Sequence, residues 1–598
     1  MFRGLLACCA LAVAAGSAHA QGFGTFYAFG DSLSDPGRYG RTVGDAPLWI
    51  DQAAAALRAR NLGFSTNYAV AGATSGDLLR QAMQFQAQAP RVAPNDIVGV
   101  WIGTNDIWPS ALGPNPPGVV QPLGPQPSIP TLAATSAGNV RGLLTDAAGR
   151  GARNAVLIGV YDLGQSTIYN AFPGQNTAQT AAYSTAASVA YNDQLRAMAI
   201  PGVNVHFLDT LALLQRVQAT PGAYGFTGGV TAADNCFARG CATLADQQRT
   251  VFIDGLHFTT GFQTLIGRYV ANLVLAPSTV AVQGDLGRAA GRSFSTYLLD
   301  RIDAARFVTP IGRTAGPGGP FSLYATGDFG GGTRQGQATL TGPVLPSVSY
   351  GREGATLGGE YRTAGALAGA AVNYARLTAN SLNAGGADTK LDSLQGAAYG
   401  ALYTDNAFAQ TAFTFGGSRY DIQRAGVVDA VAASPSGAVF TAAGKGGYLF
   451  DLGGVRLGPV AGVSYARAQV DAYIERGDPL LTMGVRRQTI DTLTGSGGVQ
   501  LRGAYGVDDV VLNPFLNLTA EHDFTDGART ITSHQANAPL LSTATDVAHA
   551  GRDTYGRVSA GVLTDTESSI GAFARASATF GRNRRGDRGV NAGLASRF

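Results

Sequence analysis

Charge is scarce in this sequence. Charged side chains make up 14% of its 598 residues, against a usual share of about 25%, and lysine is scarcer still. The net charge is +3 and no basic run stands out except Arg582 to Arg588, which sets aside nucleic acid as a partner. Long apolar runs are also lacking. Beyond the amino-terminal stretch no uninterrupted run is long enough for a spanning helix, so any anchoring in a bilayer falls to strands. Cysteine is limited to four residues. Cys8 and Cys9 lie near the amino terminus, and Cys236 and Cys241 are too few to hold a metal with no other ligands clustered there. In an exported protein a pair so close forms a small loop disulfide. Glycine fills the gap with 82 residues, about double its usual share of roughly 7%. Such a chain suits tight turns and apolar outward faces better than helical bundles.

The amino end carries Arg3, an apolar run from Leu5 to Ala15 and the small-residue ending Gly16-Ser17-Ala18-His19-Ala20. This pattern reads as a secretory signal peptide over residues 1–20. The remaining length requires at least two domains. From Phe23 to about Ala276, short apolar runs alternate with helix-like stretches. Strands are expected at Thr25 to Phe29, Asp96 to Gly103, Asn154 to Val160 and Val203 to Leu208. Helices are expected at Pro47 to Arg60, Asp77 to Gln88, Ala134 to Ala148 and Thr177 to Met198. Strands separated by helices imply parallel crossovers, hence an α/β/α three-layer sandwich over residues 21–276. The Pro- and Gly-rich run from Gly113 to Pro130 is expected to be a loop over the site. Thr260 to Leu275 reads as a closing helix and Pro277 as its punctuation. Residues 277–319 form a linker in which Gln283 to Phe307 is again helical, with arginines and aspartates all round it, as suits a helix in a polar tube or on a solvated surface.

After Pro320 the apolar period changes to two. About twelve stretches have the length of a tilted membrane strand, roughly 9 to 11 residues or a little more. They run 321–329, 354–363, 367–377, 394–404, 407–419, 438–451, 455–467, 489–503, 511–523, 553–564, 569–580 and 589–598. Long and short connections alternate, as in an outer-membrane barrel with short periplasmic turns. A soluble sandwich would alternate too, but it needs a second apolar face that is missing here. Residues 320–598 are therefore expected to form a 12-stranded antiparallel transmembrane β-barrel with the preceding helix leading into it.

Four stretches carry chemistry. Gly30-Asp31-Ser32-Leu33-Ser34-Asp35 follows the first strand and places a serine on a tight turn at the carboxyl edge of the sheet, where ligands of open α/β sheets bind. Asn67 to Ala73 ends on a glycine turn at Gly72, Gly103-Thr104-Asn105-Asp106 follows the second strand, and Asp254-Gly255-Leu256-His257 lies near the domain's end. A serine hydroxyl needs a base within hydrogen-bond reach. His257 is the best candidate, with Asp254 to fix its tautomer and stabilise the imidazolium. The amides of Ser32 and Gly72 and the Asn105 side chain supply an oxyanion hole. Taken singly each residue has a plainer role: a turn at Gly72, a helix cap at Asn105, braces at Asp31, Asp35 and Asp106, core at Trp49, Trp101 and Trp108, and structure at His206. Asp209 competes with Asp254 as the carboxylate.

In order and spacing these four blocks resemble those of the GDSL, or SGNH, esterase and lipase family, and Pro47-Leu48-Trp49 resembles the segment after its serine block. The segment so matched runs from Arg41 to Trp49. With a signal peptide before and a barrel ending on Phe598 after, the whole chain resembles the esterase autotransporters. The resemblance implies a cell-surface carboxylic-ester hydrolase acting on an ester or lipid substrate through an acyl-serine, without cofactor or metal. It further implies a monomer seated in outer-membrane lipid, inserted by the barrel-assembly machinery. A lysophospholipase, acyltransferase or carbohydrate deacetylase on the same scaffold, or an adhesin-like passenger, are the alternatives.

Overall fold

The computed structural model describes residues 22–38, 46–112, 126–172, 177–306, 320–334, 336, 345, 347–381, 387–507, 510–525, 529–547, 554–566, 569–582 and 585–598. The expected signal peptide, residues 41–45 of the segment after the serine block and most of the expected loop at 113–130 lie outside these residues.

Five-residue apolar runs stop at glycine or polar residues and form β1 (Phe26–Gly30), β2 (Ile97–Trp101), β3 (Asn154–Ile158) and β4 (Asn204–Leu208). They pair in the order β1-β2-β3-β4, all parallel. Burial on both faces is what such continuous apolar runs need, and every residue of β2, β3 and β4 is buried. The helices are α1 (Trp49–Leu57), α2 (Leu78–Gln88), α3 (Thr104–Ala111), α4 (Ile129–Gly149), α5 (Thr177–Arg196), α6 (Thr210–Ala219), the short α7 (Cys236–Arg239) and α8 (Leu244–Gln248), α9 (Thr260–Leu275) and α10 (Ala281–Ala305). The α/β architecture is as expected. Four helices, α3, α6 and the short α7 and α8, lie where none was expected; α6 is capped by Asp209, whose carboxylate accepts from Ala212 N at 3.0 Å.

Pro277 does not stop the helix. Thr260–Ala305 is one helical run of 46 residues, in which Pro277 sits at the start of a 3₁₀ segment, Ala276–Val280. A proline there removes one backbone N–H from the run without ending it. The hydroxyls of Ser278 and Thr279 donate to the carbonyls of Leu275 and Ala276 at 2.7 and 2.8 Å. By length and composition this run qualifies as membrane-crossing, contrary to expectation, yet 83% of its most apolar window is buried inside the protein.

What buries its second half is a closed barrel of twelve antiparallel strands, from Phe321–Arg334 to Arg585–Arg597, with the last strand paired to the first. The strands run 11 to 18 residues, longer than membrane thickness requires, because they continue past the bilayer band. Ala407–Arg424 shows the alternation: Gln410, Thr414 and Ser418 face inward, buried, while Phe413 and Phe415 face outward, exposed. The outward belt of Phe, Leu, Val and Tyr faces lipid. Helix α10 fills the lumen, and its charges meet wall charges there: Arg301 with Glu360, Asp300 with Arg575, Asp303 with Lys445 and Arg292 with Glu521. The polar-tube alternative for this helix is the one found.

The connections between barrel strands are more ordered than expected. Tyr473–Ile474, Met483–Val485, Arg529–Gln535 and Ala538–Val547 form a second small sheet, which packs on β4, the edge of the parallel sheet. The Gln535 side chain accepts from Phe207 N at 2.7 Å and donates to Phe207 O at 2.8 Å. Asn204 reciprocates, accepting from Ala544 N at 2.9 Å and donating to Ala544 O at 3.2 Å. Val431, Leu480, Leu481, Ala538 and Leu541 join the core of the amino-terminal domain.

Candidate active site

Ser32 sits on the turn leaving β1, and the turn depends on Gly30. Its φ is +155°, and a Cβ there would stand 2.2 Å from the Trp101 carbonyl oxygen of β2. The Gln81 amide of α2 grips the same glycine, accepting from its N–H at 3.0 Å and donating to its carbonyl at 2.8 Å. On the far side of the turn, Gln263 of α9 donates to Leu33 O at 3.1 Å and accepts from Trp49 N at 3.0 Å. Neither glutamine was expected from the sequence; their signal is a lone amide within an otherwise apolar helix face.

His257 Nε2 lies 2.9 Å from Ser32 Oγ, and its Nδ1 lies 2.8 Å from Asp254 Oδ2. The other Asp254 oxygen accepts from the amides of Leu256 and His257 at 2.7 and 2.6 Å, so three-residue spacing closes the loop on itself. A second ring of bonds fixes it in place: Tyr161 OH donates to Leu256 O at 2.7 Å and Ser166 Oγ to Gly255 O at 2.6 Å. Burial alone would raise the Asp254 carboxyl. The hydrogen bond and positive charge of His257 outweigh it, with help from the backbone amides, and hold the carboxyl below its usual range. Asp209 is no rival, since it caps α6 and pairs with Arg196 at 2.6 Å.

Gly72 and Asn105 are brought to the same rim. Val70 N donates to Gly30 O at 3.1 Å and Ala71 N to Asp35 Oδ2 at 2.6 Å, tying the Gly72 turn to the serine turn. Asn105 Nδ2 donates to Ala73 O at 2.9 Å, and Asp106 accepts from Ser75 N at 2.8 Å, tying it to α3. Gly72 has φ +78° with open space where a Cβ would be, a conformation that side chains rarely adopt. Among the described residues neither the Ser32 nor the Gly72 amide donates to a protein acceptor. Asn105 does not cap α3, whose N-cap is Gly103. Asp31, Asp35 and Asp106 brace these turns, Asp31 by accepting from Leu33 N at 3.0 Å. Trp49 and Trp101 are core, and Trp108 is partly buried. Cys236 and Cys241 are disulfide-bonded. Among the described residues no His, Cys, Asp or Glu cluster is placed to hold a metal.

Two buried groups titrate in opposite senses. Burial pushes the Asp31 carboxyl up to about 7, against the Leu33 amide and His257; its Oδ2 has no hydrogen-bond partner. Burial pushes His206 on β4 down to about 4. A carboxyl with a raised pKa binds its proton more tightly when folded, so its contribution is lost as pH rises from about 4 to about 7. A histidine with a lowered pKa does the reverse, its contribution being lost as pH falls from about 6.5 to about 4. Each amounts to roughly 3 to 4 kcal/mol, and across the shared window they offset one another. Asp31→Asn is therefore expected to expose an acid sensitivity between pH 6.5 and 4 that the parent lacks. All three tryptophans lie in this domain, so tryptophan fluorescence during thermal unfolding of the full chain reports it directly. Equal pH dependence in parent and variant would contradict the assignment.

A serine, a histidine and an aspartate thus stand in line at the edge of a parallel sheet, in a chain that also carries a helix-threaded barrel. Comparison with known proteins identifies the family. Residues 26–270 match the family model of the GDSL-like lipase/acylhydrolase and residues 327–577 that of the autotransporter beta-domain, and the chain is a GDSL-domain autotransporter, an outer-membrane protein with its passenger on the cell surface. An uncharacterized protein of the trpE-trpG intergenic region of Pseudomonas putida is 23% identical over 608 residues, covering 90% of this chain and 95% of its own. Among solved structures, the translocator domain of the autotransporter NalP from Neisseria meningitidis is 22% identical with a TM-score of 0.38, covering 55% of this chain and 100% of its own. The transport unit of AIDA-I from Escherichia coli is 12% identical with a TM-score of 0.35, covering 52% and 98%.

Proposed function

We propose that this protein is a carboxylic-ester hydrolase of the cell surface. Ser32 attacks the ester carbonyl as His257 Nε2 takes its proton; Asp254 holds the imidazole and stabilises its charge. The oxyanion is received by the amides of Ser32 and Gly72 and by the Asn105 side chain, and one such donor contributes about 3 to 4 kcal/mol to the transition state. The tetrahedral adduct collapses with loss of the alcohol, to which His257 returns the proton, leaving the acyl group on Ser32; water then releases it, with His257 again as base. Residues 1–20 act as the export signal, residues 21–276 as passenger, 277–319 as linker and 320–598 as anchor. The barrel-assembly machinery inserts the anchor. The observation that carries this reading is the unbroken line from Ser32 Oγ through His257 to Asp254, at 2.9 and 2.8 Å. A fluorophosphonate probe, which phosphonylates an activated serine, is expected to label intact cells expressing the parent and to leave the Ser32→Ala variant unlabelled. A parent that stays unlabelled would favour an adhesin-like passenger.

A further inference from the structure

We propose that this enzyme takes its ester from the surrounding water and not from the bilayer that carries it, because its catalytic edge faces away from the membrane and stands beyond the reach of lipids in the same leaflet. The inference rests on Ser32 being the nucleophile and adds the class of substrate, a water-borne ester.

The direction is set where β4 meets the hairpin of Arg529–Gln535 and Ala538–Val547. The foot of that hairpin stands on the mouth of the barrel: Arg529 donates to Ala281 O at 2.9 Å, at the start of α10, and Thr545 Oγ1 to Pro277 O at 3.1 Å. Its tip is the turn between Gln535 and Ala538. Asn204, the first residue of β4, bonds to Ala544 near the foot, whereas Phe207, three residues further on, bonds to Gln535 at the tip. β4 therefore runs outward from the membrane, and β1, β2 and β3, all parallel, run with it. Ser32 follows the end of β1 and Asn105 the end of β2, so both stand on the outward rim of the sheet.

The long helix gives the height. Gln263 Nε2 donates to Leu33 O at 3.1 Å, level with the serine turn. Further down the same helical run, Gln283 Oε1 accepts at 2.9 Å from Gln488 Nε2, at the outer end of the wall strand Gln488–Gly503. At 1.5 Å per residue the rise between the two glutamines is roughly 30 Å. An ester bond of a bilayer lipid lies below even the lower of them. Nor is the passenger free to tip over and close that gap. Tyr269 OH of α9 donates to Asp478 Oδ2 at 2.5 Å, Arg268 to Val427 O at 2.9 Å and Asn272 Nδ2 to Ala425 O at 2.8 Å. Val431, Leu480 and Leu481 from the same connections between wall strands are part of the passenger's core.

The test uses the purified full chain reconstituted in phosphatidylcholine vesicles and one fluorogenic butyrate ester in three forms. The ester is dissolved, coupled directly to the headgroup of a bilayer lipid, or coupled to it through a poly(ethylene glycol) spacer of about 40 Å, which exceeds the helical rise. At equal concentration the dissolved and long-spacer esters are expected to be cleaved, and the directly coupled ester at least a hundredfold more slowly than the long-spacer one. Dissolving the vesicles in detergent, which frees every form to approach the rim, should bring the three rates together. Equal rates on the two anchored esters in vesicles would overturn the proposal, and so would a difference between them that persists in detergent. Fluorophosphonate labelling separates the two levels. A chain labelled at Ser32 that cleaves both anchored esters alike defeats the orientation argument alone, whereas a chain that takes no label and leaves all three esters intact defeats the hydrolase reading beneath it.

Discussion

Replacing Ser32 with alanine should reduce surface ester hydrolysis about 10⁴- to 10⁶-fold while leaving the passenger displayed. The size follows from what is removed. Ser32→Ala deletes one oxygen from a side chain only 8% exposed, so folding loses little. Ser32 Oγ is nevertheless the group aligned on His257 Nε2, and among the described residues no other serine shares that contact. His257→Ala should cost a comparable factor, and the double variant little more, because members of a triad act as one unit. Asp254→Asn should cost less, since an amide still meets Nδ1 but loses the charge that steadies the imidazolium. Hydrolysis of a p-nitrophenyl ester by intact cells measures all of these. Protease added outside the cells checks that the passenger is present in each. Full turnover by displayed Ser32→Ala would end the nucleophile assignment.

The second large effect lies in the barrel. Arg301 of α10 and Glu360 of the wall are both wholly buried, joined at 2.6 and 3.2 Å. Tyr399 OH donates to the same carboxylate at 3.0 Å, and the guanidinium lies 3.5 Å from the centre of the Tyr324 ring. A charge so enclosed has no solvent to fall back on. Glu360→Ala strands the guanidinium and should destabilise the helix-filled barrel by about 3 to 5 kcal/mol. Glu360→Gln, which keeps an acceptor, should cost less. The temperature at which the folded barrel loses its characteristic mobility in detergent gels measures this. A variant melting with the parent would mean that water reaches Arg301 and solvates it.

Much of this architecture was legible because its periods are clean. Ile97–Trp101 and Asn154–Ile158 are continuous apolar runs suited only to a two-sided core, and Ala407–Arg424 alternates with hardly a break. The pairing of Asp254 with His257 was legible because three-residue spacing lets the carboxylate reach Nδ1 within one loop. What escaped depends on partners remote in sequence. The strands at 529–535 and 538–547 are short and find their place against Phe207 and Asn204, over 300 residues away, and Met483–Val485 pairs with the first of them. Gln81 and Gln263 look like ordinary helix residues until the serine turn is folded against them. Pro277 reads as a stop, yet Ser278 and Thr279 hydroxyls satisfy the carbonyls around it.

The amide clamps on β4 bear on life in a crowded leaflet. A parallel sheet that ended on a bare strand would offer neighbouring molecules a template, and display at high copy number would invite them to stitch into ribbons. Gln535 and Asn204 spend that template within one molecule. The last strand of the passenger sheet is thus covered by residues of the same chain that lie beyond most of the barrel strands in sequence.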